Sequence, residues 1–230
     1  MLSRYVNELQ NLLNDQKAQF FTVPNLTNYI NRSRRRIAYA SGCIRVNPPG
    51  VLTHPQQEIY PFRDWISLVQ GVHPQIQSIL ACRSLAMSIG PGGWKPVWRR
   101  IVWTDFQSRF RIFNGTWYGT ISEPGWWAQY GEGELGSIYM APIPAQELPM
   151  EVDLTCIPAP LLTDNDTEII PAPWNDAVVW WAAVLALLQQ QRAQEAQTMF
   201  QMFNTEMPFC ASVVNPQMIQ NTYGATIRSA

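Results

Sequence analysis

The stretch PAPWNDAVVWWAAVLALLQQQRAQEAQTMFQMFNTEM, residues 171–207, contains the longest interval free of Gly and Pro in the chain and is entered through Pro173. Ala, Leu, Gln and Met dominate it, so it predicts one long helix beginning near Trp174 or Asn175. In its first half Val178, Trp181, Ala182, Leu185 and Leu188 recur at helical steps, while Val179, Trp180, Val184 and Leu187 make the other side apolar too. A helix apolar all round is one enclosed by packing. Its second half, with Gln189, Gln190, Gln191, Arg192 and Glu195, has a wet face and a thinner stripe of Ala193, Ala196, Phe200 and Phe203. The apolar run is too short for a membrane span, which takes about twenty residues.

Such a helix needs partners, and the amino end supplies two. Residues 3–14 predict a helix with Leu2, Tyr5, Val6, Leu9, Leu12 and Leu13 on one stripe. A second helix opens at Pro24, carries Leu26, Tyr29, Ile30, Ser33 and Ile37, and stops at Gly42. Leu9, Leu12, Ile30, Ile37, Trp181 and Leu185 are expected to share one buried cluster. The amino end itself lacks the apolar core and cleavage site of a signal peptide.

Between these helices, residues 43–170 read as β. NPPG at 47–50, GPGG at 90–93 and EPG at 123–125 punctuate short extended segments. Residues 66–72 and 76–89 are expected strands, with Arg83 breaking the alternation of the second. A short helix is expected from Trp103, with Thr104 and Gln107 at capping-box spacing. Residues 126–130 and 137–141 form a hairpin candidate around GEGELG, and 150–157 alternate cleanly as a half-buried strand. The expected architecture is α+β. Residues 1–42 and 171–207 form a helical bundle, 43–170 an inserted β-rich domain, and 208–230 an extended carboxy-terminal arm.

Composition narrows function by exclusion. The 230 residues carry a formal net charge of −1 and only 14% charged residues against 47% apolar ones, so no global field attracts nucleic acid. A surface this poor in charge suits contact with other proteins. Cys43, Cys82, Cys156 and Cys210 lie far apart and read as free buried thiols. His54 and His73 sit beside prolines, and no nucleophile elbow, P-loop, dinucleotide fingerprint or metalloprotease motif occurs. The acidic turn of Asp164, Asp166 and Glu168 lacks the glycine and distal glutamate of a calcium loop. Trp94, Trp98, Trp103, Trp117, Trp126 and Trp127 read as core and interface residues rather than a sugar platform. No catalytic residue, metal or cofactor is therefore assigned. Two surface features remain: the basic cluster Arg32, Arg34, Arg35 and Arg36, and the apolar residues Phe209, Val213, Val214, Met218, Ile219 and Tyr223 of the terminal segment.

Four segments carry a resemblance that spans most of the chain: LTNYINRSRRRIAYASG at 26–42, WTDFQ at 103–107, WWAQYGEGELGSIYMAPIPA at 126–145 and MEVDLTCIPAPLLTDNDTEIIPAPWNDAVVWWAA at 150–183. Together they resemble the head-to-tail adaptors of tailed bacteriophages, including the podovirus tail tubular protein A group. The resemblance implies a virion structural protein made in the host cytoplasm. It would form a dodecameric ring between the portal protein and the tail nozzle or tube, through which double-stranded DNA passes. The terminal segment would dock on the portal or a neighbouring subunit, and the arginine cluster would line the channel or an interface. A stopper or nozzle-proximal neck protein is the alternative within the virion, and a DNA-binding protein using Arg32 to Arg36 is the alternative of another class.

Overall fold

The structure, a computed structural model, describes residues 1–16, 19–87, 97–111 and 125–214. The chain has the expected α+β character and divides into two compact units: Met1–Cys43 with Pro160–Ala230, and Ile44–Ala159.

The first unit is helical. Helix α1, Leu2–Leu12, buries Leu2, Tyr5, Val6 and Leu9, the residues of one stripe. Helix α2, Val23–Ser41, has a proline in its first turn, where a missing N–H costs nothing, and ends at Gly42 with φ 59°, the left-handed conformation glycine adopts without strain. Helix α5, Asn175–Gln189, packs against α1, α2 and the helix that follows it, α6, Ala193–Val214, which explains its apolar residues on every side. Leu9, Ile30 and Ile37 are fully buried, but Leu12, Trp181 and Leu185 are only half-buried. The centre of the bundle runs instead through the small residues Ala177, Ala182, Ala183 and Ala186 of α5. Small side chains let neighbouring helices approach closely, so the larger ones sit at the seam edges.

The expected single helix over 171–207 is two. The chain turns back at residues 190–192, where Gln191 takes φ 60° and the Arg192 N–H reaches Leu187 O at 3.0 Å. Helix α6, Ala193–Val214, then packs back along α5, with Trp181 against Phe200 and Phe203 at centroid distances of 6.0 and 5.0 Å. A run of three glutamines has no apolar surface to hold it straight, whereas folding back covers the Trp181 face. The extended arm expected from residue 208 is also corrected, because α6 continues through Pro208 to Val214. Ala196, Phe203 and Cys210 stand seven residues apart and are all buried, so one packed stripe runs past the proline and offsets its lost hydrogen bond.

The described residues of the second unit form two sheets. Strand β3, Ile76–Met87, pairs antiparallel with β7, Met150–Pro158, and the short β1, Arg45–Val46, lies on the other side of β7. A register shift between Cys82 and Ser84 turns Arg83 outward, which is why it breaks the apolar alternation. The other sheet is ordered β2 (Ile59–Pro61), β6 (Ser137–Ala141), β5 (Trp126–Tyr130), β4 (Arg99–Arg100), with β5 and β6 forming the expected hairpin. Helix α4, Trp103–Phe106, has Val102 as N-cap without a side-chain cap, so the expected Thr104–Gln107 capping box does not form. A single π turn, Gln107–Arg111, follows it. Phe106 is buried among Trp103, Phe110 and Tyr139 against this sheet.

Residues 66–72 are not a strand. They belong to helix α3, Phe62–Val72, whose buried residues Phe62, Trp65 and Val69 follow a helical spacing. The apolar residues of 66–72 suit either element; Phe62 and Trp65, just upstream, decide it.

Candidate docking surfaces of the helical unit

Helix α2 divides its arginines. Arg34 is 1% exposed and forms a two-pronged pair with Glu168, Nε to Oε2 at 2.9 Å and Nη2 to Oε1 at 2.7 Å. Glu168 also accepts the N–H groups of Ile169 and Ile170. Arg34 is therefore a structural lock, which corrects its place in the contact cluster. One turn earlier Asn31 both donates to Leu161 O at 2.9 Å and accepts the Leu161 N–H at 2.8 Å. Ser33 Oγ donates to Val178 O at 2.6 Å, and the Tyr5 hydroxyl donates to Asn175 Oδ1 at 2.8 Å. Burial pushes the Tyr5 phenol above its ordinary range.

Arg32, Arg35 and Arg36 are exposed and follow i, i+3, i+4 spacing, so they share one face with Tyr39 at i+7. They line a shallow depression of about 440 Å³ with Tyr39 and Ala40. Arg36 lies over the Trp181 ring at 5.5 Å, a cation–π contact that holds its guanidinium against α5. No carboxylate among the described residues pairs with any of the three.

A second surface escaped the sequence reading. Glu8 of α1, Asp176 of α5 and Glu206 of α6 rim a groove of about 490 Å³ floored by Leu12, Val179 and Trp180. Its acids lie on three helices and stand about 30 residues or more apart in the chain, so no local pattern announces it. Elsewhere the acidic turn is occupied by its own fold. Asp166 accepts the N–H groups of Leu162 and Thr163, which hold its carboxyl below the usual range, and Asp164 Oδ1 accepts the Ser3 N–H at 2.6 Å.

Of the terminal residues, Phe209 is exposed on α6 and Val213 and Val214 are its last residues. Met218, Ile219 and Tyr223 lie outside the described residues, as do Trp94 and Trp117. Cys43, Cys82, Cys156 and Cys210 are free and buried. Among the described residues no helix is long and apolar enough to cross a membrane, and no cluster of metal-ligating side chains occurs.

The fold and these surfaces define an α+β protein whose helical unit presents one basic and one acidic face. Residues 2–217 match the SU10 adaptor protein family, and the chain belongs to that family of phage head-to-tail adaptors. No curated protein matches the chain. The adaptor class expected from the sequence is thus the one found. The family is structural rather than enzymatic, and its membership implies a place in the virion and interaction with portal and tail components.

Proposed function

We propose that this chain assembles into a dodecameric ring that seats on the portal protein, receives the tail nozzle or tail tube on its other side and lines the channel through which double-stranded DNA leaves the capsid. The observation that carries the reading is the family match over residues 2–217, nearly the whole chain. A chain with 14% charged residues suits a subunit much of whose surface meets other protein.

The basic face of Arg32, Arg35 and Arg36 acts as a protein-contacting surface, with DNA passing without sequence reading. The residues after Val214, with Met218, Ile219 and Tyr223 as apolar anchors, dock on the portal or on a neighbouring subunit. Because Cys210 packs at the end of the buried α6 stripe, the informative truncation falls after Val214 and not after Met207. Purified protein mixed with portal and imaged in negative stain tests the ring. The reading requires a closed ring on one portal face; binding to the tail without binding to the portal would favour a stopper or nozzle-proximal role. Removal of residues 215–230 is expected to leave the melting temperature unchanged and abolish portal binding.

A further inference from the structure

The two charged faces of the helical unit match each other in sign. On one, Arg32 and Arg35 are exposed without a carboxylate partner among the described residues, and Arg36 is held over Trp181. On the other, Glu8, Asp176 and Glu206 surround the apolar floor of Leu12, Val179 and Trp180; Glu8 is paired with Arg4 at 2.8 Å, while Asp176 and Glu206 have no cationic partner among the described residues. Helix α5 borders both. At about 100° per residue, Trp181 stands about 150° round α5 from the centre of the Asp176, Val179 and Trp180 face. The faces therefore point away from each other and cannot meet within one copy.

We infer that the basic α2 face of one copy seats on the acidic α1–α5–α6 groove of the next, a head-to-tail contact between copies of this chain. The inference rests on the ring reading above and names the surfaces that would build it. Two different, complementary patches on opposite sides give a heterologous interface, which propagates from copy to copy and closes into a ring when its rotation divides a full turn. A two-fold pairing would need one patch complementary to itself, whereas the α2 face is basic and the groove, even with Arg4 paired to Glu8 at its edge, keeps an excess of carboxylates in Asp176 and Glu206. Arg32 and Arg35 meet the carboxylates at the groove rim, and Tyr39, 57% exposed beside them, reaches the apolar floor. The charges fix orientation while the floor supplies buried apolar area.

The test uses two full-length variants. One, R32E/R35E, makes both faces acidic; the other, E8K/E206K, makes the groove basic and leaves Asp176, which sits in the first turn of α5. Mass photometry alone and on portal, with a thermal melt to confirm folding, is the readout. Each variant alone is expected to self-associate at least about tenfold more weakly than wild type, and a one-to-one mixture is expected to restore assembly, because every contact then pairs opposite charges. Should R32E/R35E fail to fold, R32Q/R35Q replaces it, with weakening expected and no rescue.

A wild-type ring together with unimpaired assembly of either variant alone overturns this contact while the ring reading stands. So does a mixture of folded R32E/R35E and E8K/E206K that stays monomeric. Unimpaired assembly with lost retention of duplex DNA would assign the arginines to phosphate contact instead. A wild-type protein that forms no ring even on the portal overturns both readings.

Discussion

The two units hold distant parts of the chain together by different means. In the helical unit the joints are directional and polar: Tyr5 with Asn175, 170 residues apart, and Arg34 with Glu168, 134 apart, each form a hydrogen-bonded pair within the packed bundle. In the β unit the long-range polar side chains bond chiefly to backbone, as Thr53 Oγ1 to Gln146 O and Thr155 Oγ1 to Ala81 O, and apolar side chains fill the rest, with Phe106, Trp103, Phe110 and Tyr139 against one sheet and Val152, Leu154 and Leu85 buried in the other. The difference follows from what each backbone already specifies. A strand's register is fixed by its ladder and by the alternation of its faces, so apolar packing only has to fill the space. Packed helices tolerate a spread of angles and positions, and buried polar pairs remove that freedom.

The largest break in this comparison is expected from Arg34→Met. It leaves Glu168 without its guanidinium and should cost about 3–5 kcal/mol in urea unfolding, while Arg34→Met with Glu168→Leu together should recover most of that loss. A single change costing under about 1 kcal/mol would show that packing alone sets the bundle. Next come the apolar cores. Leu187→Ala in α5 and Leu154→Ala in β7 remove residues exposed by 1% or less, and each should cost about 2–5 kcal/mol. Half-buried Leu185 should lose less than about 2 kcal/mol by the same change, which checks the correction made to the expected cluster.

Gly125→Ala probes the β unit where backbone meets backbone. Its Cβ would lie 2.6 Å from Ala141 O and 2.9 Å from the Trp98 ring, so a loss of about 1–3 kcal/mol is expected. Acid sharpens the comparison from the other side. Burial opposes the charge on Asp15, yet N–H donors from Phe21, Phe20 and Gln19 hold its carboxyl below the usual range, and Leu162 and Thr163 do the same for Asp166. A carboxyl depressed in the folded state contributes fully above its unfolded pKa of about 3.9 and loses the contribution as pH falls through its lower folded value. Both belong to the helical unit, so Asp15→Asn and Asp166→Asn should weaken it at neutral pH and flatten its acid unfolding, read by circular dichroism. The smallest effect concerns thiols. Burial pushes Cys82 and Cys156 up to about 12 and Cys210 up to about 11, so a thiol reagent at pH 8 should label these three slowly in native protein and promptly in denaturant.

Some of this was decided by the sequence alone. Helices α1 and α2 follow from the spacing of Leu2, Tyr5, Leu9 and of Leu26, Ile30, Ile37, and α2 ends where Gly42 permits a left-handed turn. Strand β7 and the β5–β6 hairpin follow from period-two alternation and a glycine-rich turn. These are local signals, and local backbone preference is what a sequence carries directly. The four arginines were equally visible, but their separate fates were not. Tertiary structure alone took Arg34 inside, because its carboxylate partner lies 134 residues away, and left Arg32, Arg35 and Arg36 outside. It alone folded the chain back at Gln191, carried α6 through Pro208 and gathered Glu8, Asp176 and Glu206 around one groove. Each outcome sets a local preference against packing with residues from elsewhere in the chain, and the buried area of the whole unit outweighs the propensity of any single residue.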